Sequence, residues 1–505
     1  MMDTAKYELG RSTTTRNISW NYIGHFCQLA INFGLTSYIV RRLSVTEYGL
    51  FLFVIFLSSS IYMLDFGISG LLVQRYIAAS LSLEKSRLQE LISTVFVAFA
   101  VLGLVGAAIL LGLSLVLPGP FNIPPQYVHE ASLVFVASAG NILFGFLSLG
   151  FEPLYEAANR FDRVNQIQLA GSGLTFLSSI ALFYFGYGIV ALATVQCAAA
   201  AFQFLLFVAL IPSVFPAVQI NVLHFRWDAL RDLLSQSKWA FLDDMASYIS
   251  EIFLWMLLGS TGSMREAALF GLASKMPTHL WYLIDRGAGV CLPLMSESVV
   301  SDNRDNLRRI YLTTQRLVLG LALPFVLLGS VFARPLIQVW AGDTYTPSAL
   351  VMQWLLLASL AHAIVYSSSL LLWAFGQFRR IALISASGSI LTVAIALILV
   401  PRYGAVGMAF SIAAAQVLVV SPLFTFQACK YAQISFRLLV SQMLRGLGLP
   451  TAIAACGVGA VLVFQGQFSA PWIVLAGIAL GLSYFVVWGF RTALPIYRQA
   501  AEESN

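Results

Sequence analysis

Long apolar segments separated by short polar connections fill the chain from about residue 18 to residue 490. A membrane-spanning helix needs about 20 mostly apolar residues, and fourteen segments reach that length. Their predicted boundaries are 18–40, 48–74, 91–117, 131–151, 166–186, 188–211, 238–260, 267–295, 310–333, 348–376, 381–400, 404–427, 446–464 and 471–490. The shortest breaks lie at 186–188 and 401–404. The pattern predicts an all-α polytopic membrane protein with about fourteen transmembrane helices.

The composition explains why lipid must be the main solvent. Hydrophobic residues make up 59% of the 505 residues and charged residues only 10%, whereas soluble domains carry about 25% charged residues. The net charge of +6 is small and the basic residues are scattered, so we expect no nucleic-acid partner. The five cysteines lack metal-ligand spacing and predict packing residues rather than a metal site. The polar, basic start of the chain predicts that the first apolar segment is a true span and not a signal peptide.

The distribution of lysine and arginine sets the orientation. With the N-terminus on the cytoplasmic side, 21 of these residues fall in cytoplasmic segments and five in outer segments. Cytoplasmic loops of membrane proteins are enriched in both residue types. A wrong number of spans would scramble every later loop and remove the bias. The sequence therefore predicts a multi-pass protein with both ends in the cytoplasm.

Two stretches near the start recur in the second half. Residues 47–51 (EYGLF) resemble 266–270 (EAALF), and 62–67 (YMLDFG) resemble 282–287 (YLIDRG). Six predicted spans lie between the two starts, an even number, so both halves enter the membrane in the same direction. This predicts two six-helix bundles in parallel repeat, an arrangement in which transporters place a substrate path between the bundles.

The repeat divides the chain into four predicted parts. The N-terminal bundle covers 1–211 and the C-terminal bundle 238–428. The segment 212–237 is a cytoplasmic linker, in which Trp227, Leu230, Leu233 and Leu234 recur at helical spacing and predict a short interfacial helix. Residues 429–505 form two extra helices and a cytoplasmic tail.

Polar residues inside the predicted spans collect in spans 1, 2, 7 and 8. Such groups are costly in lipid and usually face a bundle interior or a water-filled cavity. Several share one helical stripe within their span. The candidate cavity residues are Asn21, His25, Gln28, Asn32, Tyr62, Lys275, His279, Tyr282 and Arg286, and the acidic candidates are Asp65, Asp244, Glu251 and Asp285.

Glu251 and Lys275 lie at nearly the same predicted depth on successive antiparallel spans. We expect an ion pair between them, serving either as a structural clamp or as a working element of transport. Asp65 and Asp285 each precede a glycine near the cytoplasmic end of a span, where helix capping is favoured over ion coupling. Arg286 continues the Lys275 stripe and is a candidate for binding anions.

Several short motifs resemble the polysaccharide exporter, or oligosaccharide flippase, branch of the multidrug/oligosaccharidyl-lipid/polysaccharide (MOP) flippase superfamily. They are 17–20 (NISW), 42–49 (RLSVTEYG), 64–68 (LDFGI), Arg75-Tyr76 and 230–235 (LRDLLS). The plan of two six-helix bundles and two extra helices matches as well, so the resemblance covers essentially the whole chain.

The resemblance implies a flippase for undecaprenyl-diphosphate-linked oligosaccharide at the bacterial inner membrane, in the biosynthesis of O-antigen or exopolysaccharide. It implies a central cavity lined by spans 1, 2, 7 and 8 and alternating access between the two sides. Lys275 and Arg286 are the candidates for the diphosphate, and Asn21, Gln28, Asn32, Tyr62 and Tyr282 for the sugars. The partners would be the lipid-linked oligosaccharide, membrane lipids and other polysaccharide-synthesis membrane proteins.

Three alternatives stay open. An organic-cation antiporter of the same superfamily would share the fold and use acidic groups such as Glu251 and Asp65. A membrane-embedded glycosyltransferase or polymerase is disfavoured because the outer loops are short and no nucleotide-binding motif is present. A scaffold would leave the charges inside the spans without a role. We expect no enzyme activity, no catalytic residues and no cofactor, with proton or sodium coupling as an open point.

Overall fold

The computed structural model describes residues 11–81, 85–116, 121–215, 221–289, 291–444, 447–464 and 469–489. Throughout these residues the regular secondary structure is helical. The chain divides into two compact units, Met1–Phe241 (unit 1) and Leu242–Asn505 (unit 2). The all-α polytopic class predicted from the sequence is confirmed.

Unit 1 contains seven complete helices and the start of an eighth. Their bounds are α1 Arg11–Val40, α2 Val45–Ser59, α3 Ser69–Leu81, α4 Lys85–Val116, α5 Val128–Ala157, α6 Phe161–Tyr184, α7 Ile189–Val214 and α8 Trp227–Thr261. Short 3₁₀ helices lie at Ser60–Asp65, Pro125–Tyr127 and Val222–His224. The helix predicted at 227–234 forms the first turns of α8, which continues without a break to Thr261.

Unit 2 holds the end of α8 and ten further helices. They are α9 Met264–Ala288, α10 Cys291–Val300, α11 Arg304–Val331, α12 Ala333–Ala341, α13 Ser348–Ala374, α14 Phe378–Ala415, α15 Ser421–Ala432, α16 Phe436–Leu444, α17 Gly448–Phe464 and α18 Ala470–Trp488. A π-helical stretch, Gln416–Val420, joins α14 to α15, and a 3₁₀ helix lies at Asp343–Tyr345.

Nine helical segments in the described residues are long and apolar enough to cross a membrane. A tenth is possible if the bent pair Phe436–Leu444 and Gly448–Val461 crosses as one span. The fourteen predicted spans differ from this number for two physical reasons. Helices α1, α8 and α9 occupy predicted spans but do not count among the nine; in α1 the apolar stretch Phe26–Val40 is too short, and α9 carries charged residues along its length. The segment Phe378–Ala432 has 55 residues and is about 80 Å long, so it covers two predicted spans.

The break inside that long segment falls at Gly404, where φ is +54° and ψ is −129°. A left-handed φ at this point favours glycine because a Cβ atom would be strained. The carboxylate of Glu266 on α9 accepts a hydrogen bond from the backbone N–H of Ala405 at 2.8 Å. Glu266 therefore satisfies a free N–H group where the second part of α14 begins.

One helix lies at the centre of each unit. In unit 1, α5 packs against α2, α3, α4 and α7, and in unit 2, α13 packs against α9, α11, α14 and α15. Both central helices bury small residues, such as Ser138 and Gly150 in α5 and Ser359 and Ala363 in α13. Small residues let helix backbones approach closely in a membrane, where the hydrophobic effect between helices is absent.

The internal repeat is visible in the order of the helices. The starts of α2 and α9, of α4 and α11, and of α5 and α13 are each about 220 residues apart. In both units the second span is interrupted at the same place of the repeat. In unit 1 the break between α2 and α3 includes Phe66 and Gly67, both with positive φ. In unit 2, α9 ends at Ala288 and α10 begins at Cys291.

Candidate functional site

The second half of α9 exposes a polar and aromatic face. Thr278, Trp281, Tyr282 and Asp285 are exposed, and Lys275 on the same side is half-buried. Their spacing of three, one and three residues places the four exposed side chains on one face of the helix. A carboxylate or hydroxyl facing lipid would be costly. This face therefore borders water, which makes it the best candidate for a substrate surface in unit 2.

Trp281 is held rigidly by α13. Its ring stacks on the imidazole of His362, with 3.8 Å between ring centroids and 2° between ring planes. The indole N–H donates a hydrogen bond to the hydroxyl of Ser359 at 2.9 Å. One turn further along α9, Asp285 accepts a hydrogen bond from the hydroxyl of Tyr366 at 2.6 Å. Two side chains of α9 are thus positioned by three side chains of α13.

The predicted ion pair between Glu251 and Lys275 is not formed in the described part of the chain. Glu251 is exposed on α8, whereas Lys275 is half-buried on α9. Both residues lie about three turns from the neighbouring helix ends at Thr261 and Met264. The two side chains do not meet, since α9 packs chiefly against α13, with further contacts to α11 and α14.

Unit 1 contains a network of polar groups that joins four helices. The amide of Gln28 on α1 donates to Gln168 Oε1 on α6 at 3.3 Å. Gln168 in turn donates to Glu152 Oε1 on α5 at 2.7 Å. Gln203 on α7 donates to the backbone oxygen of Gln168 at 3.4 Å. Gln28 was predicted as a cavity residue, and here it is one end of a network of amides around a carboxylate.

Asp65 binds the start of α3, the next helix in the chain. Its carboxylate accepts hydrogen bonds from the backbone N–H of Ser69 at 3.2 Å and from the Ser69 hydroxyl at 2.5 Å. Ser69 is the first residue of α3, so the geometry is that of a helix cap. Nearby, the ring of Tyr62 packs on Phe146 with 5.1 Å between centroids.

The other predicted residues are placed as follows. Asn32 is exposed on α1 and His279 is half-buried on α9. The side chains of Asn21, His25, Asp244 and Arg286 lie outside the described residues, although their backbones belong to α1, α8 and α9. For these four side chains the predicted roles stay predictions.

An apolar cavity of about 170 Å³ lies within unit 2, between α18 and the helices α9, α11 and α12. Met276, Phe325, Phe332, Gly477 and Gly481 are among its lining residues. The two glycines let α18 lie close to the facing residues, because a Cβ atom at Gly477 would lie 2.8 Å from the ring of Phe332. Met276 follows Lys275 directly, so α9 contributes both to the wall of the cavity and to the polar face, on different sides of the helix.

The start of α8 is fixed to unit 1 at the predicted cytoplasmic side. Arg75 pairs with Asp232 at 2.8 Å, and Arg226 pairs with Glu90 at 3.1 Å. The backbone N–H of Arg226 also donates to the Thr94 hydroxyl at 3.0 Å. Arg75, Glu90 and Asp232 border a polar cavity of about 360 Å³. These contacts give a role to two of the resemblance motifs, Arg75-Tyr76 and 230–235.

Another resemblance motif, 42–49, begins α2. The Ser44 hydroxyl accepts from the Glu47 N–H at 3.2 Å, and the Glu47 carboxylate accepts from the Ser44 N–H at 2.8 Å. This reciprocal pair is a capping box. The motif therefore fixes the start of a helix, and its residues take no part in the polar faces described above.

The sequence-based prediction missed Glu152, Gln168, Gln203, His362 and Tyr366. Glu152 was overlooked because the predicted span ended at residue 151, whereas α5 continues past Pro153 to Ala157. His362 and Tyr366 lie four residues apart in the middle of a predicted span. That spacing on an apolar helix was a signal that could have identified them.

A polytopic helical protein whose helix starts recur about 220 residues apart, with polar faces inside its predicted spans, has the architecture of a membrane transporter. The chain belongs to the polysaccharide biosynthesis protein family, whose model matches residues 38–350. The resemblance noted from the short motifs is thereby confirmed. No curated protein sequence matches the chain significantly.

Solved structures of the MOP superfamily have the same fold. The lipid II flippase MurJ in an inward closed conformation aligns with a TM-score of 0.70 and 13% identity, covering 96% of this chain and 100% of MurJ. An inward-facing multidrug resistance MATE family transporter aligns with a TM-score of 0.67 and 15% identity, covering 81% of this chain and 96% of that one.

A third similar structure is a MOP superfamily transporter from Pyrococcus furiosus, for which reversed polarity of the binding pocket suggests a different function. Its TM-score is 0.58 at 15% identity, covering 82% of this chain and 96% of that one. At such low identities these likenesses define the fold and leave the substrate to be argued from the site.

Proposed function

We propose that the protein flips an undecaprenyl-diphosphate-linked oligosaccharide from the cytoplasmic to the outer face of a bacterial inner membrane. The family match to polysaccharide biosynthesis proteins supports a substrate of this class. The flipped molecule would be a repeat unit of O-antigen or exopolysaccharide. Transport by alternating access needs no bond-breaking chemistry, so the proposed role is not enzymatic.

The observation that carries the proposal is that α9 contributes both to an apolar cavity and to a polar face with a lysine. Met276 lines an apolar cavity, and the preceding residue, Lys275, belongs to the polar face of α9. A polyprenyl diphosphate is an amphiphile with an apolar part and an anionic part. Burial of apolar surface would favour its tail in the cavity, and a lysine would attract its diphosphate as a point charge.

The fold comparison adds support from the end of the chain. The alignment with the lipid II flippase covers 96% of the chain, whereas the alignment with the MATE transporter covers 81%. One wall of the apolar cavity belongs to α18, the last described helix. A helix that serves a lipid tail suits a lipid-linked substrate better than a small soluble cation.

Coupling to an ion is part of the proposal. Proton or sodium movement would supply the driving force, and Glu251, Asp244, Asp65 and Asp285 are the carboxylates proposed for it together with Lys275. Among them Glu251 is the strongest candidate, because it is exposed on a helix of a predicted span and an acidic residue there is costly without a function. Membrane proteins that make the polysaccharide are the proposed neighbours in the cell.

The proposal is tested first by deleting the gene and returning Lys275→Ala on a plasmid. We expect the deletion to abolish surface glycan and to hold undecaprenyl-linked oligosaccharide on the cytoplasmic face. Lys275→Ala should fail to restore surface glycan at a matched protein level, because the charge that attracts the diphosphate is gone. Surface glycan and the sidedness of the lipid-linked pool are the two measurements.

The matched control is Lys430→Ala, which removes an exposed lysine at the end of α15. This variant should restore surface glycan fully. The organic-cation antiporter is the competing outcome. If the deletion leaves surface glycan normal and lowers resistance to cationic dyes, that function replaces the one proposed.

A further inference from the structure

We propose that Trp281 is a stacking platform for a pyranose ring of the transported glycan, and that Asp285 binds the hydroxyl groups of the same sugar. The inference rests on the proposed function and names the part of the substrate that the exposed face of α9 would recognise. It assigns a sugar-binding role to five side chains, Trp281 and Asp285 on α9 and Ser359, His362 and Tyr366 on α13.

The indole of Trp281 is open on one side only. His362 covers one ring face at 3.8 Å, and Ser359 binds the indole N–H. Even so, 38% of the side chain is exposed. Because one ring face is covered, we assign that exposed area to the opposite ring face and the remaining edge. A flat aromatic surface that is fixed from behind and open in front is pre-organised to receive a flat ligand.

Asp285 provides the polar part of the site. It lies one helical turn after Trp281 and is exposed, while Tyr366 binds its Oδ1 atom at 2.6 Å. A carboxylate accepts several hydrogen bonds, so the group has acceptor capacity left for a ligand. Hydrogen bonds from hydroxyls to a carboxylate are charge-assisted and stronger than neutral ones.

A pyranose ring matches this combination. Its C–H groups form an apolar face that can be buried against an aromatic ring, and its hydroxyls project from the edge toward hydrogen-bonding groups. A lipid chain would place apolar groups against the exposed carboxylate of Asp285, which is costly. A cation would find one open ring rather than an enclosing group of rings, and it would lie near the positive charge of Lys275.

The position along α9 suits a sugar close to the diphosphate. Trp281 lies six residues after Lys275, which is a rise of about 9 Å. A diphosphate at Lys275 would therefore place the first sugars of the chain beside Trp281.

The test compares two probes on the full-length protein in lipid nanodiscs. One probe is undecaprenyl diphosphate carrying a disaccharide of N-acetylglucosamine, and the other is undecaprenyl diphosphate without sugar. We expect the wild type to bind the sugar probe more tightly. Trp281→Leu should lower affinity for the sugar probe about fivefold and leave the affinity for the sugar-free probe unchanged, because the diphosphate contacts remain.

Three further variants make the result specific. Trp281→Phe keeps an aromatic ring and should retain part of the preference for sugar. Asp285→Asn should weaken binding of the sugar probe only. Trp472→Leu removes another exposed tryptophan of unit 2, on α18, and should behave as the wild type. Unchanged binding of the sugar-free probe also shows that each variant is folded.

The possible failures are distinguishable. If the wild type binds neither probe, the proposed function itself is wrong. If the wild type prefers the sugar probe and Trp281→Leu keeps that preference, the platform is wrong while the function stands. If Trp281→Leu instead loses binding of tetraphenylphosphonium and keeps binding of the sugar probe, the platform serves cations and the inference is overturned.

Discussion

Glu152 lies where α1, α5 and α6 meet through side chains in unit 1. Its carboxylate accepts from Gln168, which also accepts from Gln28. Polar contacts of this kind stabilise helix packing in a membrane, because the alternative is an unpaired polar group in an apolar medium. The network is therefore expected to hold the polar helix α1 against the rest of its unit.

This expectation predicts different results for two substitutions of Glu152. Glu152→Ala leaves the amide of Gln168 without its acceptor and should destabilise the protein by about 1–3 kcal/mol. Glu152→Gln keeps an oxygen acceptor at the same position and should cost less than half as much. Thermal unfolding in detergent measures both.

Glu297→Ala is the control for Glu152, since Glu297 is exposed on α10. It should leave the unfolding temperature unchanged. Equal losses for Glu152→Ala and Glu152→Gln would mean that the charge of Glu152, and not its acceptor oxygen, stabilises the helices.

At the scale of single helices, local hydropathy was enough to locate most elements. All fourteen predicted spans coincide with helices, and the two short breaks fall at glycines with positive φ, Gly186 and Gly404. The position of a helix depends on the residues of that segment alone. The face that a helix turns to its neighbours depends on residues far away in the sequence. Glu251 and Lys275 form no ion pair in the described residues, because α9 packs on α13, a helix that starts 60 residues after α9 ends.

The apolar cavity beside α18 leads to a prediction about an element. In Gly481→Leu the new side chain would enter the cavity, since a Cβ atom at this position already lies 3.3 Å from the Leu328 side chain. We expect the variant to lose most of its transport of lipid-linked oligosaccharide while its stability is unchanged or raised by up to about 1 kcal/mol. Flipping in reconstituted vesicles and thermal unfolding are measured together.

Gly459→Leu is the matched control for the cavity. Gly459 lies on α17 and no atom is within 4 Å of its ideal Cβ position. This variant should transport normally. Normal transport by Gly481→Leu as well would show that the cavity has no role in moving the lipid tail.

At the scale of the whole molecule, sidedness was derived only from the charges in the loops. The bias of 21 to five predicts that the connection before α8 is cytoplasmic and that the connection between α6 and α7 is external. Leu223 and Tyr187 are exposed representatives of these two connections.

Labelling of single cysteines tests this orientation. In a variant without the five native cysteines, Tyr187→Cys should react with a membrane-impermeant maleimide added to intact cells. Leu223→Cys should react only after the membrane is opened. Reaction of Leu223→Cys in intact cells would invert the predicted topology and place both termini outside.

The interruption of the second span occurs in both halves, at Phe66–Gly67 and again just after Ala288. Independent origins of the same interruption at the same place of a repeat are improbable. A shared interruption is what duplication and fusion of a half-length gene would produce. The carboxylates next to the break have separate partners in the two halves. Asp65 caps α3, the next helix in the chain, whereas Asp285 binds a tyrosine of α13. A duplicated span thus leaves one copy to fix the start of a local helix while the other makes contacts to a distant one.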